Sequence, residues 1–183
     1  MLDIYTLPER VTFDGRGYQL KCDFRNILKI FGVLQSAYPE YIRWRIAVGM
    51  FYEPALAEED MEAGLRYLAE FIQPEGEPAT GAKLLDWQAD AAPIISGVNA
   101  AAGQEIRRLP FVHWWTFLSW FHAMPPGELS TRVAIRQKKQ KGQKLEPSEL
   151  EYYRQNKQAV DLRPAYSQEE RKEMDRLNAL LDS

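Results

Sequence analysis

The sequence predicts a mainly α-helical chain. It reads as a single helical domain over residues 1–162 with a small N-terminal β-hairpin, followed by a helical tail over 163–183. Three observations predict this. Apolar residues recur at helical spacing along most of the chain. A strand pattern occurs only around one glycine-containing turn near the start. The 183 residues, 45% hydrophobic and 12% aromatic, are enough to bury a sizeable core.

Taken in order, VTF and YQL flank Asp14-Gly15-Arg16-Gly17, whose glycines can supply the positive φ that a tight hairpin turn needs. Asp23 is placed to cap a helix beginning at Phe24, with Phe24, Ile27, Leu28, Phe31 and Leu34 as its apolar stripe. Pro39 opens a second helix, Tyr41 to Tyr52, in which Trp44 separates Arg43 from Arg45. A third runs from Glu58 to Gln73. Its acidic start suits the positive end of a helix dipole, and Leu65, Leu68, Ala69 and Ile72 form its buried face. PEGEPATG, Pro74 to Gly81, is a loop.

Leu84 to Ala102 is expected as one helix, kinked at Pro93. LPFVHWWTFLSWFHAM follows, apolar on nearly every face, and is expected as a core helix. Pro125-Pro126-Gly127 ends it. A basic segment runs from Arg132 to Lys144, and Pro147 then starts a helix bearing Leu150 and Tyr153. Ser167 and Glu170 form a capping box for a last helix with Met174, Leu177, Leu180 and Leu181 on its stripe.

Composition narrows the function classes. With 23 basic and 26 acidic residues the net charge is −3, the opposite of a nucleic-acid-coating protein. A lone Cys22 can form neither an intrachain disulfide nor a cysteine zinc site, which suits a reducing cytoplasm. MLDIYTLPER lacks the apolar run of a signal peptide, and the longest apolar stretch is too interrupted to span a membrane. A soluble cytoplasmic protein is expected.

Few residues offer chemistry. His113 and His122 are nine apart, which puts them on opposite sides of an ideal helix, so one helix cannot bring both to a metal. Neither a P-loop nor a dinucleotide fingerprint occurs. Asp86 and Asp90, four apart around Trp87, could do acid–base work; the alternative is that one caps a helix or pairs with Arg107 or Arg136. No catalytic residue, metal or cofactor is expected.

Two surfaces are candidates for partners. Trp87, His113, Trp114, Trp115, Phe117, Trp120 and Phe121 are either core or an aromatic docking surface. Arg132, Arg136, Lys138, Lys139, Lys141 and Lys144 form either a solvated basic face, which could meet an acidic protein, or a phosphate-binding one.

LDWQAD, then HWWTFLSWF, then IRQKKQKGQKLEPSELEYYRQNKQAVDL resemble the bacteriophage gene-product-fifteen family. Leu7-Pro8, DFR at Asp23 to Arg25, FYEP at Phe51 to Pro54 and EFI at Glu70 to Ile72 fit it too, so the resemblance covers most of residues 7–162. HWWTF followed by IRxKKxKGxKL is its most specific part. The resemblance marks Trp87, Asp90, His113, Trp114, Trp115, Phe117, Arg136, Lys138 and Lys141 as family-typical without giving them roles.

Genes of this family typically lie between those of the major tail protein and the tape measure. The resemblance therefore implies a non-enzymatic tail assembly chaperone in the host cytoplasm. It would bind the tape measure or tail tube protein, with self-association possible and no membrane. A minor tail protein retained in the virion is the second expectation. A nucleic-acid-binding factor using residues 132–144 is the third.

Overall fold

The computed structural model describes residues 5–73 and 84–162. These fall into two compact units: residues 5–73 with 113–115, and residues 84–112 with 116–162. The expected loop from Pro74 to Gly81 and the expected tail over 163–183, with its Ser167–Glu170 capping box, lie outside the described residues.

The first unit begins with strands β1 (Arg10–Phe13) and β2 (Arg16–Leu20), paired antiparallel with Phe13 opposite Arg16. Asp14 (φ 44) and Gly15 (φ 82) supply the two positive φ angles of a type I′ turn. Gly17 does not share in the turn; it lies in β2. Helix α1 (Phe24–Leu34) starts as expected, with the Asp23 carboxylate accepting the Arg25 N–H. Helix α2 (Glu40–Phe51) packs on it.

The chain then does what the sequence did not announce. Tyr52 and Glu53 leave the helix and pair with Leu20 and Gln19 as a short strand, β3. The sheet order is β1-β2-β3. A single 3-10 turn (Glu58–Asp60) leads into α3 (Met61–Ile72).

The core of this unit is aromatic. Phe24, Ile27, Ile30, Phe51, Tyr52, Leu68, Phe71 and Trp114 are buried. The expected stripes shift slightly: Ile30 takes the place of Leu28 on α1, and Phe71 replaces Ala69 on α3. Asp60 is buried here too, accepting from Arg16 Nε (2.7 Å) and Nη2 (2.8 Å) and from the Tyr18 hydroxyl (2.6 Å). The hydrogen bond from Arg16, then that from Tyr18, hold its carboxyl at about 2 against the effect of burial.

In the second unit the expected helix from Leu84 begins only at Ala91. Residues 87–90 form a turn, and α4 covers Ala91–Ala102. Pro93 then sits in the first turn, where its missing N–H costs nothing, so no kink is required. Gly103 (φ 66) ends α4, and Asn99 accepts the Ile106 N–H at 3.0 Å at the following 3-10 turn (Ile106–Arg108).

The aromatic helix is also shorter than expected. Helix α5 covers Trp114–His122; its first two residues belong to the first unit and the rest to the second. Helices α6 (Glu128–Gln140), α7 (Pro147–Gln155) and the short α8 (Lys157–Val160) complete the described chain.

Candidate functional site

The second unit is organised around one buried carboxylate. Asp90 has no solvent exposure and stands at the N-terminus of α4, yet its side chain does not cap that helix. It turns to α6. Arg136 Nη1 donates to Oδ2 (2.7 Å) and Nη2 to Oδ1 (2.9 Å), and Arg132 Nη1 donates to Oδ1 (3.1 Å). The Asp86 N–H donates to Oδ2 at 3.1 Å. Burial disfavours the charged form, but these bonds, that from Arg136 first, hold the carboxyl below its usual range.

Arg136 uses all five of its N–H groups. Besides the two to Asp90, Nε donates to Val160 O (2.7 Å), Nη2 to Ala159 O (2.8 Å) and Nη1 to Leu84 O (2.9 Å). One side chain on α6 thereby fastens the start of α4, the chain before it and the end of α8. Arg132 is neutralised a second time by Glu128, one turn back. Both alternatives open for Asp86 and Asp90 are realised: Asp90 pairs with Arg136, and Asp86 Oδ1 caps the turn before α4, accepting the N–H groups of Gln88 (2.9 Å) and Ala89 (2.7 Å). Arg107 pairs with Glu105 instead.

The joined faces of α4 and α6 border a cavity of about 600 Å³. Pro93, Gly97 and Ala100 of α4 line it, with Phe121 of α5, Met124, and Leu129 and Val133 of α6. Trp87 packs on Phe121 (5.0 Å between ring centres) and on Phe117 (6.3 Å). Gly97 lets Met124 come close: a Cβ there would meet Met124 Sδ at 2.5 Å. The volume lies within the range of ligand pockets, and the lining is mostly apolar. Sequence reasoning did not single out Gly97, Ala100, Leu129 or Val133. The available signal was a row of small residues on one side of α4, at 93, 97 and 100.

The candidate aromatic surface resolves into two groups. His113, Trp114, Trp115 and Phe117 are buried, so they are core rather than docking surface. Trp87, Trp120 and Phe121 are half-buried. In the first unit the Trp114 indole N–H donates to Ile72 O (3.2 Å) and that of Trp115 to Phe71 O (3.0 Å). Two indoles thus satisfy carbonyls at the end of α3, which the helix itself leaves open.

His113 precedes α5 and forms an isolated β-bridge with Asp23. Its Nδ1 accepts the Trp115 N–H (3.1 Å), which leaves the proton on Nε2, facing Pro8 O at 3.2 Å. Burial lowers its pKa; the Pro8 contact and Glu9 oppose the shift. His122 is exposed at the far end of α5.

The basic run is not a continuous basic surface. Arg132 and Arg136 are buried. Lys138 donates to Glu149 at 2.7 Å, and Lys139 bonds to Asp161. Lys141 and Lys144 are exposed. The sequence could not tell these apart, because Asp90 lies 42 and 46 residues from its arginines.

Among the described residues no group of three or more His, Cys, Asp or Glu is placed to hold a metal ion, and no helix is long and apolar enough to cross a membrane. The family model described as Bacteriophage Gp15 protein matches residues 4–162. No curated protein and no solved structure matches the chain.

Proposed function

The chain belongs to the bacteriophage Gp15 protein family, and from that premise we propose that it is a tail morphogenesis factor. In this reading it is an assembly chaperone in the host cytoplasm that holds apolar segments of the tape measure or tail tube protein before the tail forms. It acts by binding and not by catalysis.

The observation that carries the reading is the cavity between α4, α5 and α6. Most family-typical residues serve to build its surroundings or the core: Asp90 and Arg136 join two of its walls, Trp87 packs on Phe121, and His113, Trp114 and Trp115 are committed elsewhere. In the second unit, the apolar space those walls border is open to a partner.

Its size sets the strength. Burying two or three aliphatic side chains gives about 1.5–3 kcal/mol each, and the cost of association takes back much of that sum. The expected binding is weak and reversible, which suits a factor that must let its client go.

The test is capture of the tagged full chain from cells assembling phage, with purified particles probed in parallel. The chaperone reading expects tape measure or tail tube protein in the capture and none of this chain in the particle. Its presence in the particle at fixed stoichiometry makes it a minor tail protein and overturns the reading.

A further inference from the structure

The first unit carries a separate apolar groove, of about 450 Å³, between α2 and α3. Each of these helices has two apolar stripes, and only one of them faces the core. Helix α2 buries Ala47, Val48 and Phe51, and α3 buries Leu68, Phe71 and Ile72. The second stripes are Tyr41 and Trp44 of α2 and Met61, Leu65 and Ala69 of α3; they line the groove and are half-buried or exposed. Tyr41 is 64% exposed. Met61, Leu65 and Ala69 follow at every fourth position, a ridge of about 12 Å at 1.5 Å per residue. That is the length of two turns of a facing helix. Tyr, Trp and Arg, which meet here on α2, are the side chains most often found to anchor a protein partner.

The polar groups of the groove are of one kind. Tyr41, Trp44 and Arg45 are the lining side chains with polar atoms. An indole and a guanidinium only donate, and a phenol can donate. None of these three side chains makes a hydrogen bond or ion pair among the described residues. The other charges of α2 and α3 do not line the groove. Arg43 donates to Leu34 O, Glu62 pairs with Arg66, and Glu40 and Glu70 are exposed. Glu58 and Glu59, in the turn before α3, are exposed as well. Arg45 is thus the one charged side chain in the lining. Its complement is apolar surface that brings an acceptor, and a carboxylate bonds a guanidinium more strongly than a neutral oxygen does. The exposed acids nearby disfavour a ligand with a run of acids.

We propose that this groove docks a helix of another protein, whose apolar face is about two turns long and carries a single carboxylate. The apolar face lies on Met61, Leu65 and Trp44, and the carboxylate accepts from Arg45. This docking does not depend on the chaperone reading and uses a different surface.

The probe is a synthetic alanine-based peptide of about 15 residues, with leucines at every fourth position and one glutamate on the same face. A second peptide has lysine in place of that glutamate. Each is titrated into the full chain, and backbone amide shifts are read. The proposal expects the shifts to gather on α2 and α3 around Trp44 and Leu65. The glutamate peptide should bind about fivefold more tightly than the lysine peptide, and Arg45→Glu should reverse that order. Arg45 is exposed, so the fold is retained, and the remaining amide signals check this. Unmoved α2 and α3 signals overturn the proposal, and so does equal affinity for the two peptides. Shifts confined to the cavity between α4, α5 and α6 also overturn it while leaving the chaperone reading standing. Shifts of α2 and α3 on dilution of the chain alone would make the occupant a second copy and overturn it as well.

Discussion

Asp90 and Arg136, 46 residues apart in the chain, meet as a two-bond pair of which the carboxylate has no contact with water. Removing Asp90 leaves Arg136 buried without a carboxylate, and removing Arg136 leaves Asp90 with the single Arg132 bond as its charged contact; breaking a buried pair in this way typically costs about 3–5 kcal/mol. Asp90→Asn and Arg136→Met are therefore expected to lower unfolding stability by about that much, read from urea midpoints. Arg136→Lys should recover little, because an ammonium cannot reproduce the planar fork or reach the three carbonyls together.

Arg132 is the weaker partner. It gives Asp90 a single bond, and its buried Nε has no acceptor. Without it Asp90 keeps both bonds from Arg136. Arg132→Met is expected to cost about 1–2 kcal/mol, clearly less than Arg136→Met. Lys141→Glu with Lys144→Glu should change stability by no more than about 0.5 kcal/mol. The same urea series ranks all three.

His113 makes stability depend on pH. The unfolded chain takes up a proton near the ordinary value of 6.5, and the folded chain only at lower pH. The unfolded state binds more protons in that interval, so stability rises with pH through it. The contribution is complete above about 6.5 and is lost as the pH falls toward the lowered native value. Melting temperatures between pH 7.5 and 5 should fall, and His113→Gln should flatten the slope. A variant slope equal to the native one would place the proton uptake elsewhere.

Trp115 combines a ring contact with a polar bond. Its ring stacks on Phe71 at 5.3 Å, and its N–H satisfies Phe71 O. Trp115→Phe keeps most of the first and loses the second, so about 1–3 kcal/mol of stability should go. Trp115→Ala should cost more, about 3–5 kcal/mol. Loss of partner binding in Trp115→Ala would therefore report on folding and not on a docking surface.

What the sequence made legible was local. The hairpin turn and the Asp23 cap depend on residues within a few positions of each other, and both form. Strand β3 was hidden because two residues carry no period of their own; Tyr52 and Glu53 are strand only because β2 is beside them. The late start of α4 was hidden for a related reason. Asp90 looks like an interior helix residue until its carboxylate is drawn to α6. Pro110 and the bridge from His113 to Asp23 likewise trim the aromatic run to α5. The Arg132–Lys144 segment shows the limit most plainly, since buried and exposed cations look the same in a basic string.

The cavity wall permits the most direct test of function. Ala100 lines the cavity yet is itself exposed, so a carboxylate there spoils an apolar site with little strain on the fold. Capture of tape measure or tail tube protein is measured for the native chain and for Ala100→Asp, with melting temperatures alongside. The account predicts at least a tenfold loss of capture at an unchanged melting temperature. Equal capture by both chains would contradict it.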